Sequence, residues 1–438
     1  MNNLGNLEKA IEQAKNDKNN AVAFVYENQK LNKNGSLANA VYSLKNNYAT
    51  ADAVTHGSSK ILENFIPYYD ATVVNLLNNA GAVCAFKTNL DEFGLGGTGE
   101  YSAYGLVKNP LNKEYLVGGS SSGSAATLTE NISFAIGSDT GDSVRVPASF
   151  VGKVGFKPSY GAVSRFGLFA FASSLDTVGW LTHDVYDSFK IANVLFQPDF
   201  KNDNSSQDLR FESKNIKPVK PRKVAYLQVS EYLDNEVKEE YQKTIAKLKA
   251  ENIEMVEIKI DEDLLNSINV VYQIIAFTEA SSNLANLTGV HFGEQIEGKD
   301  WEDTFIKTRQ HGFGPMVQRR LILGSYYLEK ENQQKYLLKA QKMRHYISDY
   351  FTSIHKNHDV FIYPASKSSA PKFNTQSTEC FFDFILTNSN LTGNPSMTLP
   401  MGICNNNMPF SLAIDAEKFN DVKMLQNALY LEQILKEK

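Results

Sequence analysis

Between Gly118 and Pro147 the chain reads GGSSSGSAATLTENISFAIGSDTGDSVRVP, and this stretch limits its fold and chemistry most. It opens on a glycine- and serine-rich run and closes on a second hydroxyl-bearing loop, SDTGDS, with a short apolar segment between them that can pack beneath both. Two such loops can face one cavity. Glycine lets backbone N–H groups approach a ligand closely, and a neighbouring loop can supply a nucleophile and the donors that meet a developing oxyanion. The outline is that of a nucleophilic serine site. If Ser143 is the nucleophile, the backbone of Thr140, Gly141, Asp142 and Ser143 is the source of those donors, and a proton acceptor must lie nearby. All seven histidines (His56, His183, His291, His311, His345, His355 and His358) fall outside these segments, so the base is not read as a histidine. His355 and His358 read as surface residues.

The surrounding pattern is that of an α/β protein. Apolar residues at helical spacing from Leu4 to Ala14 precede a strand at Ala21–Glu27. Leu37–Asn47 contains a short strand ending at Lys45, and a helix over Thr72–Ala80 leads into the strand AVCAF. After the central stretch, VGKVGFKPS and GAVSRFG read as strand and turn, and Val185–Phe196 as a helix. Beyond a polar excursion the alternation resumes, with strands in KVAYLQ, MVEIKI and DVFIYPA, a helix over Val237–Ala250 and a long helix over Tyr326–Phe351. Such alternation predicts a large sheet covered by helices. The excursion, about 199–223, has charge, serine and proline without apolar periodicity and reads as an exposed loop or insertion. The expected organisation is one domain over residues 1–438.

Composition narrows the function classes. A net charge of -5 with no basic stripe argues against direct nucleic-acid binding. Cys84, Cys380 and Cys404 are odd in number and far apart, which argues against a disulfide framework or a CxxC metal site. The N-terminus lacks the apolar core of a secretory signal and no long apolar run occurs, so a cytoplasmic location is expected. Two further motifs read as turns. Gly119–Gly123 fits GxSxG around Ser121, but NPLNKEYLV before it is a poor strand. Gly94, Gly96 and Gly99 satisfy GxGxxG with neither a strand before nor a helix after.

The pair of loops resembles the fingerprint of the amidase signature family, a GGSSGGSAA-type run followed by a TDxGGSxRxP-type loop. AVYSLKNN occupies the place of that family's lysine motif, and the 75 residues from Lys45 to Ser120 match the spacing it implies. The resemblance implies a large mixed sheet with helices on both faces and a Ser-Ser-Lys triad of Lys45, Ser120 and Ser143, with Thr140, Gly141 and Asp142 giving the oxyanion hole. The chemistry is coherent: an exposed lysine has a pKa near 10.4, but burial can lower it to about 7–8, making the amine a base. This chain departs from the fingerprint at Asp142, where the second glycine of GGS is replaced, and in GSSSGS and Lys45-Asn46-Asn47.

Within that family, KTNLDEFGLGGTGEYSAYG (Lys87–Gly105), EASSNLANLTGVHFG, FGPMVQRRLILGSYYLEK and DFILTNSNLTGNPSMTLP resemble in order the glutaminase components of bacterial aspartyl/glutamyl-tRNA amidotransferases. This resemblance runs from about residue 20 to 415. It implies hydrolysis of glutamine to supply ammonia for converting Glu-tRNA(Gln), or Asp-tRNA(Asn), in a complex with B and C subunits. ATP, magnesium and the mischarged tRNA would fall chiefly to the B subunit, with no cofactor or metal in this chain. It also implies glutamine contacts: Arg320 to the α-carboxylate, with Arg319 the adjacent alternative, Asp383 to the α-ammonium, and the Tyr272 hydroxyl. A standalone amidase acting on small amides, or a scaffold component disabled by Asp142, are the other readings of the same residues.

Overall fold

The computed structural model describes residues 1–211, 216–229, 231–375 and 380–437. Eleven strands make one mixed sheet: β1 (Val22–Val25), β2 (Val41–Lys45), β3 (Val83–Thr88), β4 (Phe134–Asp139), β5 (Val154–Lys157), β6 (Thr177–Thr182), β7 (Lys223–Leu227), β8 (Glu254–Ile258), β9 (Val360–Pro364), β10 (Ser396–Ile403) and β11 (Pro409–Asp415). Their spatial order is β1-β3-β2-β4-β6-β5-β10-β11-β9-β7-β8. β3, β2 and β4 run parallel, as do β9, β7 and β8, while the strands between these two groups pair antiparallel.

Side chains alternate between two apolar layers, as the two-residue period of a strand requires. Val41, Ala135 and Leu181 belong to one core, while Tyr42, Leu44, Phe134, Ile136 and Trp180 belong to the other. Helices therefore have apolar surface to cover on both faces. The central strands β2, β4, β5 and β6 are buried along their whole length, so they lack the apolar–polar alternation of a sheet with one solvated face.

Parallel pairing brings the carboxyl ends of β2 and β4 to the same edge, where open α/β sheets bind ligands. Leu44 lies opposite Ile136, so Lys45 at the end of β2 stands beside the last residues of β4. The loop that follows Asp139 emerges there, and the serine-rich run folds over the same edge as a short helix, Ser122–Ala126.

Several sequence expectations change. Phe134–Asp139 is a full strand, and β6, β10 and β11 have no counterpart in the sequence pattern. The strand expected in VGKVGFKPS and the turn expected in GAVSRFG are both present. The helix expected over Tyr326–Phe351 is interrupted: one helix ends at Leu328, Glu329 adopts an extended ψ of 138°, and helical structure restarts at Lys330. His355 is buried rather than on the surface. In the polar excursion the Asp199 carboxylate accepts from Thr72 Oγ1 and Ser164 Oγ, each at 2.7 Å, and Asp203 pairs with Arg165. Among the described residues no helix is long and apolar enough to cross a membrane.

Candidate active site

Lys45 is fully buried, and its amine points into the space between the serine-rich run and β4. Nζ lies 2.8 Å from Ser120 Oγ, 3.0 Å from Ser121 Oγ, 2.9 Å from Ser138 Oγ and 3.3 Å from the Ser138 carbonyl. Its partners among the described residues include no carboxylate. Burial pulls its pKa down to about 7, against a smaller opposing pull from the charges of Asp91, Asp139 and Asp176. Near neutrality the amine is therefore neutral for much of the population, with a lone pair that can take a proton. Ser120 Oγ has Lys45 as its hydrogen-bond partner and follows a cis Gly119–Ser120 peptide.

Ser143 sits in the turn after β4, 4% exposed. Its hydroxyl makes no hydrogen bond among the described residues, whereas its carbonyl accepts from Ser121 N–H at 3.1 Å, which ties the two loops together. The amides of Thr140, Gly141, Asp142 and Ser143 are likewise unengaged among the described residues. Four adjacent free N–H groups are unusual in a buried turn, where backbone donors are ordinarily paired.

The turn holds its shape through Asp139 and Arg145. Arg145, fully buried, turns its five guanidinium N–H groups toward seven acceptors: both Asp139 oxygens, Gly141 O, Leu386 O, Ser389 Oγ, Asn390 Oδ1 and Ser396 Oγ. Asp139 also accepts from Val144 N–H at 2.9 Å. Burial opposes ionisation of Asp139, but the charge and hydrogen bonds of Arg145 outweigh it and hold the carboxyl below its usual range. Thr140 is fixed separately, its hydroxyl donating to Asp176 at 2.7 Å. Asp142 is half-buried and does not have a positive φ, so a side chain fits there without left-handed strain. Burial, with the Asp139 charge behind it, pushes the Asp142 carboxyl up to about 7.

The expected glutamine contacts are distributed unevenly. Tyr272, on the helix Glu262–Asn283, reaches the turn: a Cβ built on Gly141 would lie 3.2 Å from Tyr272 Cζ and 3.3 Å from Thr387 Oγ1. Arg320, on the helix Pro315–Leu328, is half-buried over the Phe277 ring at 5.0 Å, and its Nη1 is buried without a hydrogen-bond partner among the described residues. Arg319 is exposed. The two helices approach closely at Gly324, where a Cβ would come within 1.9 Å of Phe277 O. Asp383 is engaged elsewhere, accepting from Lys367 Nζ at 3.3 Å and Cys380 N–H at 2.9 Å.

Sequence reasoning missed Ser121 and Ser138 as lysine partners, and it missed Asp91, Asp176 and Thr387. Asp91 is buried in LDEFGLGGTG and accepts from the amides of Thr98, Gly99 and Tyr101, while its own N–H donates to Ser120 O at 3.2 Å. The glycine triplet read as a turn is thus a loop wrapped around one carboxylate. A separate cavity of about 250 Å³, lined by Leu62, Phe65, Phe93, Phe169, Leu284 and Phe292 among others, contains none of the expected triad. No cluster of metal-ligating side chains occurs among the described residues.

Comparison with known proteins identifies the family. A family model described as Amidase matches residues 6–425. The chain is 38% identical over 413 residues to the A subunit of the glutamyl-tRNA(Gln) amidotransferase from Mycoplasma pneumoniae, covering 91% of this chain and 86% of that one. It is 36% identical to the A subunit of the Sulfurimonas denitrificans enzyme over 98% and 97% of the two chains. The crystal structure of the corresponding A subunit from Thermotoga maritima superposes with a TM-score of 0.78 at 31% identity, covering 97% of this chain and 93% of that one. With a family model spanning residues 6–425 and relatives 36–38% identical over nine-tenths or more of its length, the chain belongs to the amidase family.

Proposed function

We propose that this chain is the glutamine-hydrolysing component of a tRNA-dependent amidotransferase, releasing ammonia for conversion of Glu-tRNA(Gln) to Gln-tRNA(Gln). The observation that carries this reading is the buried Lys45 amine, near neutrality in pKa and 2.8 Å from Ser120 Oγ, in a serine-rich run that the Ser121 N–H ties to the Ser143 carbonyl at 3.1 Å. The relatedness to A subunits over most of the chain supports it. The catalytic unit is the whole chain, 1–438, acting in the cytoplasm with B and C subunits; ATP and magnesium act in the B subunit, which also carries the mischarged tRNA.

In this reading Ser143 Oγ attacks the side-chain carboxamide carbon of glutamine. Its proton passes through Ser120 to Lys45, and the oxyanion is met by the free amides of Thr140, Gly141, Asp142 and Ser143. Collapse breaks the C–N bond, and the proton returns through Ser120 to the leaving nitrogen as ammonia. Water then attacks the γ-glutamyl ester, giving its proton to the same relay, and releases glutamate with Ser143 restored. Arg320 pairs with the α-carboxylate and the Tyr272 hydroxyl contributes from the opposite helix. Asp383 keeps Oδ1 for the α-ammonium, its Oδ2 being held by Lys367 and the Cys380 N–H.

The test is ammonia release from glutamine by the purified protein, alone and with its B and C subunits, ATP and mischarged tRNA, beside Ser143→Ala and Lys45→Ala. Release that needs both residues and rises with the partners is the expected outcome. Partner-independent turnover of simple amides would instead identify a standalone amidase. Assembly without any release would identify a scaffold component.

A further inference from the structure

Glu92 has no role in the chemistry above, yet it is 1% exposed and both its carboxyl oxygens are engaged in different segments. Oε2 accepts from Gly314 N–H at 2.8 Å, and Oε1 pairs with Ser59 Oγ, which also lies 3.0 Å from Gly312 O. One hydroxyl proton cannot serve both Glu92 and Gly312. The arrangement closes if Glu92 is protonated and donates to Ser59, which then donates to Gly312 O. Burial favours that form, pushing the Glu92 carboxyl up to about 7. Glycine at 314 is what allows the approach, because a Cβ there would lie 2.6 Å from Oε2.

Gly314 is the N-cap of the helix Pro315–Leu328, and Arg320 lies six residues further on. At 1.5 Å rise per residue this is about 9 Å along the helix, so a shift at the cap is transmitted to the guanidinium. Immediately before Glu92, Asp91 N–H holds Ser120 O at 3.2 Å. Two consecutive residues thus connect the serine relay on one side with the helix of Arg320 on the other. We propose that Glu92 is a positioning residue for substrate recognition, fixing the N-terminus of the Arg320 helix against the Ser120 segment and so setting where Arg320 meets the glutamine α-carboxylate. This rests on the reading of Arg320 given above. Errors of about 1 Å in such placement are enough to lose binding or rate.

The experiment uses the protein assembled with its B and C subunits and measures KM and kcat for glutamine in Glu92→Ala, Glu92→Gln, Arg320→Ala and the Glu92→Ala/Arg320→Ala double variant. Glu92→Ala is expected to raise KM about tenfold with kcat within about threefold. Glu92→Gln, whose amide can accept from Gly314 and donate to Ser59 as the protonated acid does, should restore KM to within about twofold. In the Arg320→Ala background, Glu92→Ala should add less than about twofold, because the two act through one contact. An equal fall in kcat and kcat/KM, independent effects in the double variant, or failure of Glu92→Gln to rescue would overturn the proposal. If Glu92→Ala does not fold, Gly314→Ala perturbs the contact from the other side and must give the same rise in KM. An unchanged KM in Arg320→Ala alone would sink the Arg320 reading itself, and the inference with it.

Discussion

Lys45 and Lys157 end two strands of the same sheet, both fully buried, and burial brings both amines down to about 7; the Arg145 charge helps at Lys157. Their partners differ. Lys157 Nζ donates to two carbonyls, Pro158 O at 3.1 Å and Asn394 O at 2.5 Å, and a carbonyl can only accept. Lys45 faces three hydroxyls and one carbonyl, and a hydroxyl can reverse its hydrogen bond. A neutral Lys157 must commit both N–H groups to holding Asn394 and Pro158, whereas a neutral Lys45 can turn its lone pair toward Ser120. A lowered pKa therefore does not identify a base; the chemistry of the neighbours does.

Replacing each lysine by methionine separates the two most strongly. Lys45→Met should cut kcat for amide hydrolysis by about 10²–10⁴-fold without lowering the urea midpoint, since the serines around it can pair with one another. Lys157→Met should leave kcat within about threefold but strand two buried carbonyls, at about 1–3 kcal/mol each, and lower the urea midpoint accordingly. Equal loss of activity in both variants would break the distinction.

The sequence carried half of this contrast. Lys45 was legible because AVYSLKNN resembles the amidase family's lysine motif and its distance to Ser120 matches the spacing that this resemblance implies. Lys157, in GFKPS, gave no sign of burial, and neither did Lys87, which is also buried and donates to Tyr48 O, Thr50 Oγ1 and Thr55 Oγ1. Partners such as Ser138, 93 residues from Lys45, or Ser396, 251 residues from Arg145, lie far beyond the range of any local period. Strand β10 was hidden by Pro400 and a register shift between Pro400 and Gly402. The break at Glu329 was hidden because the residues around it suit a helix; there Asn332 Nδ2 donates to Tyr326 O at 3.0 Å, a side-chain bond that competes with helical pairing.

A smaller effect sharpens the comparison through pH. With Lys45 as the base, kcat/KM for glutamine should rise about tenfold per pH unit up to about 7 and stop rising there, and Lys157→Met should leave that limb in place. Stability behaves differently, because both folded-state pKa values lie below the unfolded value. For each lysine the stabilisation is fully present above about 10.4, falls as the pH drops toward 7, and is lost below it. Activity that follows both lysines, or neither, would contradict the assignment.

The smallest expected effect concerns Asp142, which belongs to the Lys45 end of the comparison. Its carboxyl also titrates near 7, raised first by burial and then by Asp139. Ionisation would place negative charge beside the amides meant for the oxyanion, so the wild-type profile should turn down just above the pH at which Lys45 becomes competent. Because its backbone lacks a positive φ, Asp142→Gly should keep the turn and remove the downturn, raising kcat/KM about three- to tenfold near pH 8.5 with little change near pH 6. The same substitution removes a group whose raised pKa costs stability as the pH climbs from about 4 to 7, so the variant's urea midpoint should decline less over that window. It should not alter the response to Lys157→Met. A pH profile of kcat/KM that superposes on wild type would mean that the Asp142 carboxylate points away from the developing charge, and that its unusual position beside Ser143 is electrostatically silent.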